Sequence, residues 1–463
     1  MTTPTATQPA DPLALLRTRG YLALLVLAAI LGVPIAAVAY GFLKLVDVIQ
    51  KAVFTQLPSG LGFDGEPLWW PLLPLALAGV LVALTIRYLP GKGGHSPADG
   101  FKARGVVTPD QIPGVFLAAL ATLSLGAVLG PEAPLIALGG GLAVLALHFS
   151  KRNMPAQTLA VVGSAGSFAA IATLFGSPLP AAFLLMEAAG LGGAMLDIVL
   201  LPGLLAAGIG ALIFVGLDAW TGFGTFSLAI PNLPPYSHPD LAQFGWALVL
   251  APAAAIIGTV IHRLALAVRP HIERRLVVLT PLAGLAVAGL AIAYAAATGK
   301  ESSEVLFSGQ SALPTFVDQA SSYSVGALLL LLLCKGLAYS VSLSSFRGGP
   351  VFPAMFIGAV GGVAMSHLPG LPLVPAVAMG IGAMSATMLR LPLASVLLAT
   401  LLLGSDGLAV TPLVIVAVVV AYVVAARIAP PADKTPAAES APAPTARDAA
   451  TTPDVAPATG TVR

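Results

Sequence analysis

Leu129-Gly130-Pro131-Glu132-Ala133-Pro134-Leu135 sets an acid between two prolines at the entrance of an apolar run that continues to Val144. Proline suits the first turn of a helix, where its missing N–H is not needed and its fixed φ is already helical. The segment therefore predicts a helix N-terminus at Glu132. The free N–H groups there, and the positive end of the helix dipole, attract anions. A tethered carboxylate is itself an anion. It can occupy the place a diffusible anion would take and leave it when protonated or displaced. The expectation is that Glu132 gates an anion pathway; the plainer alternative is a capping acid that only favours the dipole. An ionisable group in so apolar a setting is functional by default.

The composition agrees with a membrane setting. Of 463 residues, 57% are hydrophobic and only 9% charged, too little charge to cover a soluble chain of this size. The fold class expected is an all-α polytopic membrane protein. A net charge of +2 without a long basic patch gives no reason to expect nucleic acid. A single cysteine, Cys334, excludes a disulfide framework and a cysteine-based metal site, and the six histidines are scattered. No metal or cofactor is expected. An enzyme is not expected either: Glu132 as general acid or base would need a nucleophile or metal set at suitable spacing, and none is found.

Outward from Glu132, apolar runs recur along the chain. They cover residues 21–48, 71–89, 113–128, 155–175, 178–189, 191–217, 241–268, 276–297, 323–343, 374–389, 392–403 and 409–427, with a further helix opening at 348–353. Several fall short of the roughly 20 residues of a full span, which implies broken or tilted helices buried in protein. Lys151 and Arg152 are expected to end the Glu132 helix. A Gly-rich turn at 91–97 leads to a short helical stretch, 98–104. Residues 218–240 read as an interfacial linker between halves, and 300–322 as a loop with a short helix. Lys335 is an intramembrane cation that draws anions toward a pore, snorkels or pairs with an acid. The expected domains are a disordered polar tail (1–18), a transmembrane domain (19–427) and a disordered Pro/Ala-rich tail (428–463). The run from Tyr21 is too long for a signal peptide. Arg17 and Arg19, and the basic run 269–275, favour cytoplasmic placement, with both termini inside.

The membrane part carries an internal repeat. Gly130-Pro131-Glu132-Ala133-Pro134 and Gly349-Pro350-Val351-Phe352-Pro353 both read G-P-x-x-P, 219 residues apart, with a glycine at one offset, Gly139 and Gly358. Gly166, Thr173 and Pro178 match Gly380, Thr387 and Pro392, 214 residues apart. Two matches at nearly one offset indicate a duplicated unit, about 70–217 and about 241–427. Duplicated transporter units are often inverted, with ligand held where half-helix ends converge.

These motifs resemble the CLC family of chloride channels and proton-coupled chloride transporters. Gly93-Gly94-His95-Ser96-Pro97 is similar to the first helix-start signature, G-S-G-I-P. Gly130 to Pro134 is similar to the second, and Gly349 to Pro353 to the third, G-x-F-x-P. Phe175-Gly176-Ser177-Pro178-Leu179, leading to Glu187, and Arg390-Leu391-Pro392-Leu393 are similar to the paired stretch between and after them. The resemblance runs from about residue 21 to 427. It implies two inverted repeats, a homodimer with one pore per subunit, a place in the cell membrane, and transport of chloride or a similar small anion. Helix N-termini from the three signatures would meet near mid-membrane. Peptide dipoles suit conduction better than a full ammonium charge, which would bind too tightly. The implied anion-binding residues are Gly94, His95, Ser96, Pro131, Ala133, Gly349, Val351 and Phe352, with Glu132 as gate.

The departures from the family pattern bear on mechanism. Gly94 stands where a serine hydroxyl is usual; His95 and Ser96 either replace it or only shape the turn. Pro131 replaces a basic residue and Ala133 a glycine. Pro350 offers no N–H, and the central tyrosine near the chain end has no counterpart after Arg427; Tyr422 is too early. Proton-coupled members carry an inner acid one residue after the position of Glu187, where this chain has Ala188. Glu187 is then a structural acid or a displaced proton relay. The lost donors predict weak central binding, at ~1 kcal/mol each. The expectation is passive conduction gated by voltage or pH, with proton–anion exchange as the alternative.

Overall fold

The computed structural model describes residues 16–101, 107–150, 155–190, 194–222, 229–230, 233–236, 238–404 and 407–428. The tails expected before residue 16 and after 428 lie outside them, as do Lys151 and Arg152. Among the described residues the regular structure is helical, with no strand. The helices are α1 (Arg19–Lys51), α2 (Leu72–Tyr88), α3 (Ile112–Ser124), α4 (Glu132–Ser150), α5 (Ala156–Phe175), α6 (Pro178–Ala189), α7 (Ala194–Thr221), α8 (Leu241–Arg274), α9 (Leu276–Thr298), α10 (Leu313–Asp318), α11 (Val325–Ser345), α12 (Val351–Ser366), α13 (Leu373–Leu389), α14 (Pro392–Leu402) and α15 (Gly407–Ile428). A π-helical turn, Ala52–Gln56, carries α1 on to Gly60. Eight of these segments are long and apolar enough to cross a membrane; α2, α6, α12, α13 and α14 are apolar but shorter.

The packing is doubled. α4 packs on α5 as α12 packs on α13, and α5 on α7 as α13 on α15. α1 lies against α5 and α7 as α8 lies against α13 and α15. Two further pairs, α2 with α9 and α6 with α14, join the halves. These are two inverted repeats of tilted and broken helices, and the packing groups α1 with the first. The closest approaches use the glycines of the internal repeat. A Cβ on Gly139 would stand 2.5 Å from the Gly166 carbonyl oxygen, and one on Gly358 would collide with the Gly380 carbonyl. Small residues let backbones meet where lipid supplies no hydrophobic drive between helices.

Some boundaries differ from expectation, for local reasons. After the first signature only a 3₁₀ turn forms, Pro97–Asp99, because Gly100 takes φ +82° and ends it; the rest of the stretch expected to 104 lies outside the described residues from 102. α3 stops at Ser124, ahead of Gly126 at φ +103°. α8 runs through Pro270 and the basic residues to Arg274 instead of ending at 268. α7 extends to Thr221, into the expected linker.

Candidate anion pathway

The two G-P-x-x-P turns touch. Gly130 N–H donates to the Gly349 carbonyl at 2.8 Å, and Gly349 N–H donates to the Gly130 carbonyl at 2.6 Å. Two residues upstream on each side a second pair of bonds closes the clasp. Val128 N–H donates to Ser342 Oγ at 3.1 Å, and Arg347 N–H donates to Thr122 Oγ1 at 3.3 Å. Each hydroxyl sits near the end of the helix that precedes the other repeat's turn. Non-helical backbone at membrane depth must find such partners inside the protein.

Glu132 lies across this bridge, fully buried. Its Oε1 accepts a hydrogen bond from Phe352 N–H, in the first turn of α12, at 2.8 Å. Oε2 has no hydrogen-bond partner among the described residues. Both bridge glycines are required by contact, since a Cβ on Gly130 or on Gly349 would fall onto the carboxyl group. No ion pair reaches Glu132 among the described residues. The carboxylate is therefore held by peptide dipoles at a helix N-terminus. Tyr339, buried on α11, donates its hydroxyl to the Pro350 carbonyl at 2.8 Å and steadies the turn.

A cavity of about 870 Å³ opens on one side of the clasp. The first signature lines it with Gly94, His95 and Ser96, together with Ala133 and Gly348. Gly94 sits at φ +96°, and Ser96 Oγ is buried without a partner among the described residues. All three signatures thus converge: the second and third pair directly, and the first faces them across the cavity. Glu132, Val351 and Phe352 do not line it, whereas their neighbours Ala133 and Gly348 do. Pro131 lies in the clasp and supplies a carbonyl to Leu135 N–H at 2.9 Å.

Residues 95–426 match the family described as "Voltage gated chloride channel". This chain belongs to the CLC family. Among its relatives is the putative ion-transport protein YfeO of Salmonella choleraesuis strain SC-B67, 30% identical over 375 residues, 77% of this chain and 84% of the relative. YfeO of Salmonella typhimurium strain LT2 is 29% identical over the same shares. Of solved structures, a slow cyanobacterial Cl−/H+ antiporter superposes with TM-score 0.70 at 19% identity, covering 87% of this chain and 94% of the other. A CLC-type fluoride/proton antiporter gives 0.66 at 22%, covering 88% and 96%. At those identities the structures speak for the fold alone. The chain is a multi-pass membrane protein of CLC-type anion transport.

Two further ionisable groups fall outside the CLC clasp. Glu187, near the end of α6, accepts from Leu393 N–H at 3.1 Å and Ala394 N–H at 2.8 Å. Both carboxylate oxygens thereby cap α14 across the repeat boundary. Lys335 neither snorkels nor faces the cavity. Its ammonium, fully buried, donates to the carbonyls of Glu304, Val305, Leu306 and Phe307 at 2.8–3.4 Å. It also lies 4.4 Å from the centre of the Phe356 ring on α12. Four carbonyls and a ring face replace the water it lost. Sequence reasoning missed Arg347 and Arg269, which both line the cavity. The signal for Arg347 was its place directly before Gly348-Gly349-Pro350.

Proposed function

We propose that the protein passes chloride or a similar small anion passively through this clasp, with Glu132 as the gate. The observation that carries the reading is the carboxylate seated on Phe352 N–H, where a small anion would meet the same donors. Protonation removes the charge that holds it there, and flux then rises as pH falls. The reading extends to Val351, Gly349 and Ala133 as backbone contacts of the passing anion, and to Gly94, His95 and Ser96 as lining on the cavity side. Glu187 is a structural acid, with both oxygens already committed and Ala188 beside it unable to carry a proton. Positive charge gathers on the cavity side, at Arg269, Arg274, Arg275, Lys92 and Arg87. By the positive-inside rule that side is cytoplasmic, in the cell membrane. The reading includes a homodimer with one pore per subunit.

Proteoliposomes loaded with chloride test this. On adding a potassium ionophore, wild-type protein should release chloride without a fixed proton countermovement, and faster at lower pH. Glu132→Gln should release it at a rate that no longer depends on pH. Unchanged flux and pH dependence in that variant would remove the gate. A proton-coupled exchanger is the second reading, favoured by the activities of the two similar solved structures. It wins if external pH moves in fixed ratio with chloride.

A further inference from the structure

The contact between α2 and α9 ends in a pocket that the anion pathway does not use. The two helices run antiparallel at close range. A Cβ on Gly79 would collide with Pro281, and one on Gly284 with the Leu75 carbonyl. Moving along α2 from Leu75 to Gly79 moves back along α9 from Gly284 to Pro281. That register brings Arg87, in the last turn of α2, to the corner where α8 ends and α9 begins. A cavity of about 380 Å³ lies there, lined by Arg87, Glu273, Arg274, Arg275, Val277 and Val278. The three arginines and the two valines do not line the pathway cavity. Glu273 is committed to Arg269 at 2.7 Å. None of the three arginines is in an ion pair among the described residues, and all three are exposed. Away from them the surface turns apolar. Leu77, Leu81, Leu84 and Tyr88 share one face of α2, and Val278, Leu282 and Leu285 one face of α9; every one is exposed. The Arg87 guanidinium lies 5.5 Å from the Tyr88 ring centre, a pairing suited to a membrane–water boundary.

We propose that this corner binds one anionic phospholipid, its phosphate held by Arg87, Arg274 and Arg275 and its acyl chains laid along the apolar faces of α2 and α9. Guanidinium forks match phosphate oxygens in pairs, and basic pockets between membrane helices suit anionic headgroups. Inorganic phosphate shares the headgroup chemistry but leaves the apolar faces uncovered. A second copy of the chain fits the corner poorly. Two subunits related by a two-fold axis along the membrane normal would meet patch to patch, setting the same arginines against each other. The backbone leaves helical geometry at Arg275, with φ −136° and ψ 53°. A lipid bound there ties α2 to both sides of that break. The site rests on this corner and on the membrane setting, and is independent of the gate.

Native mass spectrometry of the delipidated full-length protein tests the site. With palmitoyl-oleoyl phosphatidylglycerol added, each chain should retain one lipid under conditions that strip the matching phosphatidylcholine. Glu132→Gln should bind it as wild type does. Arg87→Ala, Arg274→Ala or Arg275→Ala alone should weaken binding about fivefold, and the three together about a hundredfold. Replacing all three by lysine keeps the charge and should hold binding to within about tenfold of wild type, the loss falling on the paired hydrogen bonds. Glycerol phosphate, which carries the headgroup charge without the chains, should compete only in large excess. The proposal is overturned if phosphatidylcholine is retained as firmly as phosphatidylglycerol, or if glycerol phosphate displaces the lipid at equal concentration. It is also overturned if the triple alanine variant folds and binds like wild type; if that variant fails to fold, single variants that bind like wild type overturn it instead. A triple variant that loses its partner subunit while its lipid count stays unchanged would make this face a contact between copies, and would overturn the proposal too.

Discussion

The two halves of this molecule carry one turn twice and use it for opposite purposes. In the first half, Gly130-Pro131-Glu132 presents a carboxylate. In the second, Gly349-Pro350-Val351 presents an apolar side chain, and the following residue, Phe352, gives its N–H to that carboxylate at 2.8 Å. The frame around the difference is paired: the bridge glycines, the hydroxyls of Ser342 and Thr122, and the Gly139–Gly166 and Gly358–Gly380 crossings. Glu132 and Val351 are counterparts in the repeat. A symmetric scaffold can thus hold an anion site and its competitor by changing one residue. The scaffold places the two turns face to face; the acid on one and the free amides on the other complete a gate.

Breaking the symmetric part should matter most where it touches the asymmetric part. Gly349→Ala puts a methyl group where the carboxyl now lies. Overpacking of this kind reaches about 3 kcal/mol, enough to empty the seat about a hundredfold. Chloride flux at neutral pH should then match that of Glu132→Ala and lose its pH dependence; a Gly349→Ala protein that folds and still gates normally would contradict the seat. Next in size is the cap that joins the halves at α14. Glu187→Ala removes two accepted N–H bonds and should lower stability by about 1–2 kcal/mol, seen as a lower Tm in detergent, with proton coupling unaltered. A change in proton–chloride ratio would reassign Glu187 to a proton path.

Smaller effects sharpen the donor side. Pro350 stands at φ −91°, which alanine adopts freely. Pro350→Ala returns one N–H to the start of α12. In a Glu132→Gln background, isothermal titration should show chloride bound about fivefold tighter, for a net ~1 kcal/mol per added hydrogen bond. Smallest and most diagnostic is the clasp. Ser342→Ala and Thr122→Ala remove matching acceptors and should each cost about 1 kcal/mol, equal within error in thermal unfolding. Unequal costs would show that the clasp is symmetric in geometry only.

Much of this was legible in the chain. The apolar runs, the short helices and the 219-residue repeat give the inverted fold, because span length and helix-start chemistry are local properties. Glu132 was legible for the same reason. The boundaries that differ turn on single backbone choices: Gly100 at positive φ cut the first signature's helix to a 3₁₀ turn, and Pro270 failed to end α8. Partners were harder. The Lys335 carbonyl cage depends on how residues 304–307 fold back, and no spacing encodes that. Arg347 is one cation beside two glycines. Its lack of a carboxylate within ion-pair distance among the described residues becomes visible only when Arg269 is seen to have two.

The central claim is that peptide amides at the start of α12 receive the ion once the carboxylate leaves. It is tested most directly by crystals of Glu132→Ala grown in bromide. The account predicts an anomalous peak within hydrogen-bond distance of the Phe352 N–H, beside Gly130 and Gly349. Crystals that hold bromide elsewhere but leave that position empty would contradict it.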